Sequence, residues 1–145
     1  MQHKIKKISG DASFREFYKI EKNSKFTILV KANKDKFRNL IIYAAINELL
    51  IKNKIKAPKL VQEYFAKNMM EIENLGNHSF LEHIKNKKNK FNDYKKLIEL
   101  IIKIQKINFK TYIKFRNNKI RVKKHNLLEL HKESDLFFDW YLKNN

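Results

Sequence analysis

Arg15-Glu16-Phe17-Tyr18-Lys19-Ile20-Glu21 and Phe26-Thr27-Ile28-Leu29-Val30-Lys31, parted by Lys22-Asn23-Ser24-Lys25, decide the fold of this chain. Aromatic and β-branched side chains dominate both runs, and the four residues between them are turn formers. They read as two antiparallel strands on a tight turn. Upstream, Lys4–Ser9 alternates lysine with isoleucine and reads as a further strand. With two glycines and one proline in the whole sequence, turns must be built from Asn, Asp, Ser and Lys. A three-stranded meander is expected.

Beyond it the period changes. Phe37, Leu40, Ile41, Ala44, Ala45, Glu48 and Leu49 recur at three- and four-residue steps, which places them on one face of a helix. That helix should fade near Asn53, and Ala57-Pro58 enforces an extended entry to the next segment. Leu60–Phe65 and Met69–Glu73, separated by Ala66-Lys67-Asn68, read as a second hairpin. Strand, strand, strand, helix, strand, strand is the order of the small lobe of protein-kinase-like enzymes. The expected class is α+β: a five-stranded antiparallel sheet with one helix, followed by the first helices of a large lobe.

After Gly76 the pattern is helical. Ser79-Phe80-Leu81-Glu82 fits a capping box opening a short helix, and Lys85–Lys90 is a polar connection. Tyr94, Leu97, Ile98, Ile101 and Gln105 share a stripe, so residues 92–108 read as an amphipathic helix. A basic loop containing Asn117-Asn118 follows. Asn126-Leu127-Leu128-Glu129 opens a last helix, with Leu127, Leu130, Ser134, Phe137, Phe138 and Tyr141 expected to face inward. The expected division is residues 1–74, a nucleotide-binding lobe, and 75–145, a crossover with an incomplete helical lobe.

Composition narrows the chemistry. The absence of cysteine removes disulfides, thiolate metal sites and cysteine nucleophiles. Lysines interrupt every apolar run, so no segment reads as a membrane span or a signal core, and a cytoplasmic protein is expected. A net charge of +18 invites a nucleic-acid reading, yet only Arg15, Arg38, Arg116 and Arg121 among the 33 basic residues are arginine. A surface evolved for phosphate forks and guanine edges should use more arginine. A solvated basic surface is the simpler account, and its field would still draw an anionic substrate such as ATP.

Several residues could carry that binding. Gly10-Asp11-Ala12-Ser13-Phe14 lies between two strands, where small residues leave backbone amides open to an anion. An ordinary hairpin turn is the plain alternative. Lys31 ends the third strand, and Glu48 sits on the apolar stripe of the helix. A carboxylate on a buried face needs a cation, which Lys31 could supply; otherwise Glu48 edges the stripe in solvent. Glu73-Asn74-Leu75 would offer extended backbone to a nucleotide base. His131, Asp135 and Asp139 are spaced for one helix face but read as a solvated edge, and His78, His83 and His125 have no acid or nucleophile partner. No catalytic residue and no metal site is assigned.

Three stretches resemble the aminoglycoside phosphotransferase family, in particular its bacterial branch acting on N-acetylmuramate and N-acetylglucosamine. Gly10-Asp11-Ala12-Ser13-Phe14-Arg15-Glu16-Phe17-Tyr18 is similar to an early Gly-Asp-Ala-Ser-x-Arg-x-Tyr/Phe signature. Ile72-Glu73-Asn74-Leu75-Gly76-Asn77 resembles a Leu-Glu-Asp-Leu-Gly-Asp crossover. Glu129-Leu130 with Phe137 or Phe138, Asp139, Trp140 and Tyr141 resembles a later Glu-Leu-x-x-Phe-x-x-Trp-Tyr segment. The resemblance implies a kinase-like fold, ATP and Mg²⁺ as cofactors, and a sugar hydroxyl as phosphoryl acceptor. It also implies nucleotide contacts from Gly10, Asp11, Ala12, Ser13, Phe14, Lys31, Glu48, Glu73, Asn74 and Leu75.

The chain departs from the branch in two places. Val30-Lys31-Ala32-Asn33-Lys34 stands where the branch often has Met-Asp-Ala-Pro-Pro, leaving the register of Lys31 open by one residue. The His-x-Asp catalytic loop and later metal-binding Asp occur nowhere in the sequence. The resemblance therefore implies a chain inactive alone, whose sugar acceptor is bound through a complementary C-terminal half, and whose last helices expose apolar surface. No specific nucleic acid and no membrane partner is expected. The alternative is a non-catalytic basic module, pseudokinase-like or polyanion-binding.

Overall fold

A computed structural model describes residues 4–8, 14–22, 24–33, 38–108, 111–122 and 126–143, with the side chains of Phe137 and Tyr141 left aside. Five strands form one antiparallel sheet: β1 (Lys4–Ile8), β2 (Arg15–Lys22), β3 (Lys25–Ala32), β4 (Leu60–Tyr64) and β5 (Met69–Glu73). Their spatial order is β1-β2-β3-β5-β4, so β5 sits beside β3 and β4 takes the edge. The expected five-stranded sheet with its helix between the third and fourth strands is what the chain forms. The turn before β3 carries Ser24 at φ 61°, a left-handed position that a short polar residue fills here in place of glycine.

Register decides which side chains share a face. Phe17 pairs with Val30, Val30 with Met70, and Ile28 with Ile72. Alternation along each strand then puts these apolar side chains on one face. The opposite face carries Glu16, Tyr18, Leu29, Lys31 and Glu71. The β4–β5 register shifts between Leu60 and Gln62, so Val61 is an extra residue that bends the edge strand. The other edge, β1, is exposed throughout and studded with Lys4, Lys6 and Lys7, which discourages pairing with another chain.

Helix α1 (Arg38–Lys52) covers the apolar face. Leu40, Ala44 and Ala45 pack with Val30, Ala32, Met70 and Ile72 in one core cluster, where Val30, Leu40 and Met70 are wholly inaccessible. Small residues at 44 and 45 let the helix approach the sheet. Phe37 lies outside the described residues. Asn47 is buried on the same helix and its Nδ2 donates to the Pro58 carbonyl at 3.0 Å, tying the helix to the extended stretch that enters β4. The helix ends with Lys54 in the left-handed region at φ 58°, while the Ile55 N–H donates to Leu50 O and the Lys54 N–H to Ile51 O, each at 2.9 Å. This pair of bonds is a Schellman closure.

The segment expected as a basic loop is instead a second, two-stranded sheet, β6 (Tyr112–Phe115) and β7 (Asn118–Arg121). Phe115 and Ile120 enter the core cluster, and the Phe115 ring meets Phe65 edge-on at 6.4 Å between centroids. Burial of these two apolar residues outweighs the polar composition around Asn117-Asn118 that reads as a loop.

The remaining helices are α2 (Phe80–Lys85), α3 (Phe91–Gln105) and α4 (Leu127–Phe137), the last running into a π-type turn over Phe138–Leu142. Ser79 and Glu82 form the expected reciprocal cap of α2, and the Asn126 side chain caps α4. No residue of α3 is buried. The inward face expected for α4 is overturned: Leu127, Leu130 and Phe138 are 75%, 47% and 54% exposed. Each keeps much of its surface in solvent, so the spacing records an apolar face that is not a core face. The expectation that the last helices expose apolar surface is met. No helix among the described residues is long and apolar enough to cross a membrane.

Candidate functional site

Beside α1, on the helix-bearing face of the sheet, lies a cleft of about 550 Å³. Ile8, Phe17, Ile28 and Ile72 form its sheet wall, Tyr43 of α1 and Pro58 its flanks, and Glu73–Asn77 its rim. The sheet wall follows from the register: Ile8 pairs with Phe17 and Ile28 with Ile72, and alternation puts all four on one face. An apolar wall beside extended backbone is the usual make-up of a small-ligand site.

Local bonds fix the rim. The Glu73 N–H donates to Lys59 O at 2.8 Å, and the Lys59 N–H donates to the Glu73 carboxylate at 3.3 Å. Asn74 Oδ1 accepts from the Gly76 N–H at 3.0 Å, and Gly76 has φ +100°. Nothing stands within 4 Å of where a Cβ on Gly76 would lie, so glycine serves the backbone angle there and not a close approach. Asn74 thus shapes its own turn, and Leu75, 46% exposed, presents an N–H with no acceptor among the described residues.

Of the residues expected at a nucleotide site, Glu73, Asn74 and Leu75 line this cleft. Gly10, Asp11, Ala12 and Ser13 lie outside the described residues. Phe14 is exposed, with the Arg15 guanidinium 5.3 Å from its ring centroid. The expected Lys31–Glu48 pair is corrected. Glu48 holds Lys52 at 2.5 Å and lines a recess with Ala44, Phe115 and Arg116 on the hairpin side of α1. Among the described residues no ion pair joins it to Lys31. The reason is alternation: Val30 and Ala32 are buried against the helix, so Lys31 between them takes the other face, opposite Glu16.

That other face carries its own polar cluster. Lys7 Nζ donates to Glu16 at 2.6 Å and the Tyr18 hydroxyl donates to the same carboxylate at 3.0 Å. The Lys7 hydrogen bond first, then that of Tyr18, holds Glu16 below its ordinary pKa. The same Glu16 bond raises the ammonium pKa of Lys7 and the phenol pKa of Tyr18. Nearby, buried Glu71 accepts from Lys22 Nζ at 3.0 Å and from the Thr27 hydroxyl. Such pairing satisfies a carboxylate that is withdrawn from water.

The polar groups of the helical part hold one another. Asp93 accepts from Lys87 Nζ at 2.9 Å and bonds His83 Nε2 at 3.0 Å, and these partners, Lys87 foremost, lower its pKa. Asp139 accepts from Lys143. Among the described residues no group of three or more His, Cys, Asp or Glu could hold a metal.

Sequence reasoning found the rim but not the wall. Tyr43 and Pro58 gave no chemical signal, and Ile8, Phe17, Ile28 and Ile72 read as ordinary strand residues. Their common face was available from the period-two pattern, once the face turned to α1 was known. Comparison with protein-family models, with curated proteins and with solved structures gave no match.

Proposed function

We propose that the cleft takes the base of ATP, and that this chain is the nucleotide-binding part of a small-molecule phosphotransferase acting on an amino sugar, inactive alone. One observation carries the reading. A five-stranded sheet with one bracing helix leaves an apolar cleft whose rim is the extended stretch Glu73–Asn77. Flat apolar walls suit a purine ring, and backbone at its edge suits the ring's hydrogen-bonding groups. The resemblance of residues 10–18 and 72–77 to the aminoglycoside phosphotransferase signatures supports the same assignment from the sequence side.

The residues fit the nucleotide better than they fit its metal. Glu73 is the one carboxylate in the lining, and it already accepts from the Lys59 N–H. Mg²⁺ would therefore come with the phosphates and their waters, as this ion commonly does. Phosphoryl transfer needs a group to orient the attacking hydroxyl and groups to hold the metal. The sequence has no His-x-Asp, so on this reading those groups are supplied by a complementary half.

Calorimetric titration with ATP and Mg²⁺ tests the proposal. Weak saturable binding without turnover is expected, with transfer to an amino sugar restored by a family member's catalytic half. Absence of binding with that half present would remove the assignment. A steeply salt-dependent affinity for random RNA, with no nucleotide binding, would point to the basic module instead.

A further inference from the structure

We infer that the chain pairs with a second copy of itself, the apolar face of α4 in one protomer lying on that of α3 in its partner. A two-fold axis repeats the contact, so both faces of both protomers are covered. Within one chain each face is open to solvent. On α3, Ile98, Leu100, Ile101, Ile102 and Ile104 are between 41% and 54% exposed, and Leu127 and Leu130 of α4 are as open or more so. Neighbouring apolar side chains left bare in this way mark a contact surface. The inference stands apart from the cleft and holds whatever the cleft binds.

Charge decides what each face fits. In a chain of net charge +18, residues 127–142 carry Glu129, Glu133, Asp135 and Asp139 against Lys132 alone. At 3.6 residues per turn, Glu133 falls on one side of the Leu127–Leu130 stripe and Asp135 on the other. The same construction on α3 puts Lys95 beyond Ile102 and Lys96 beyond Leu100, so bases border the apolar arc on both sides. Other charges of the two helices are engaged: Asp93 holds Lys87 and His83, Lys103 donates to the Lys54 carbonyl, and Asp139 holds Lys143. Among the described residues Glu133, Asp135, Lys95 and Lys96 take no such bond. Packing α4 on α4 would set acids against acids, and α3 on α3 bases against bases. The crossed pairing alone sets acids against bases, and charges bordering an apolar seam select the partner in this way. A single crossed contact would leave one face of each copy bare and open to further addition, whereas the two-fold closes the assembly.

Sedimentation of the full chain over a concentration series tests the inference, and the wild type should reach twice the mass of one chain. Two variants reverse the bordering charges: Glu133→Lys with Asp135→Lys, and Lys95→Glu with Lys96→Glu. Each alone faces like charges at both contacts and should sediment as a single chain. Mixed in equal amounts they restore opposite charges at both contacts, and the mixture should recover the dimer. Ile98→Gln should weaken self-association about tenfold, the worth of one apolar anchor, and leave the unfolding of dilute, single-chain protein unchanged. The inference falls if the wild type stays a single chain at every concentration. It falls equally if a reversed chain or Ile98→Gln associates as the wild type does, or if the mixture recovers no dimer, the result expected were α3 and α4 of one chain to close on each other. Should a reversed chain fail to fold, carbodiimide coupling of wild-type protein mixed from unlabelled and isotope-labelled chains decides. Amide bonds joining Lys95 or Lys96 of one kind to Glu133 or Asp135 of the other support the pairing, and an absence of mixed bonds overturns it.

Discussion

Asn47 shows how a single side chain can set the geometry around the cleft. It is 5% exposed and its amide donates to the Pro58 carbonyl, so one bond joins α1 to a residue of the cleft flank. Asn47→Ala should destabilise the fold by about 1–3 kcal/mol, since it removes the partner of a part-buried carbonyl and the bond of a buried side chain. Urea unfolding would measure this, and a change below 0.5 kcal/mol, the scatter expected of a surface site, would contradict it. Asp93 makes the complementary point about charge. Its folded pKa lies below the ordinary 3.8 because Lys87 and His83 favour the carboxylate. The stability it contributes is therefore full above that ordinary value and is lost as pH falls through the lowered folded value. The stability gap between wild type and Asp93→Asn should hold steady down to the ordinary carboxylate range and close in more acid solution. A gap indifferent to acid would show that the ion pair is not its source. Neither residue announced itself in the sequence: Asn47 is a polar residue in a helical stripe, and Asp93 is one acid among many lysines.

At the scale of elements, local rules account for most of what is seen. The Ser79–Glu82 box, the Ala57-Pro58 extension and the 69–73 strand were all legible, because each depends on neighbours a few residues away. The end of α1 offers a direct test of such a rule. Lys54 occupies a left-handed position at φ 58° that closes the helix, and a side chain there is strained where glycine is not. Lys54→Gly should raise stability by up to about 1 kcal/mol, read as a higher melting temperature. A lower one would mean that the lysine side chain contributes more than its strain costs. The carbonyl of residue 54, which accepts from Lys103 Nζ at 3.2 Å, survives the substitution. The β6–β7 hairpin was not legible for the opposite reason. Its strands are four residues each and rich in Lys and Asn, and what holds them is Phe115 and Ile120 on the side of α1, a contact that no local window contains.

For the whole molecule, stability is concentrated in one place. The sheet and α1 bury the core, while no residue of α3 is buried and α4 with the π-type turn after it exposes Leu127, Leu128 and Trp140. Leu40→Ala should cost about 2–5 kcal/mol, as expected of a fully buried leucine. Ile98→Gln on α3, where the side chain is 54% exposed, should stay within about 0.5 kcal/mol. Denaturant titration of both variants would expose a second hidden core if Ile98 proved as costly as Leu40. By itself the amino-acid sequence determined the five strands of the main sheet, the helices and their order, since hydrophobic period and capping chemistry act over a few residues. It did not determine which face of β3 meets the helix. Phe26, Ile28 and Val30 compete there with Thr27, Leu29 and Lys31, and both sets carry apolar side chains. Only packing against Leu40 and Ala44 resolved that choice. The resolution turned Val30 and Ala32 to the helix and Lys31 away from it, because residues of a strand that differ by one position can never share a face.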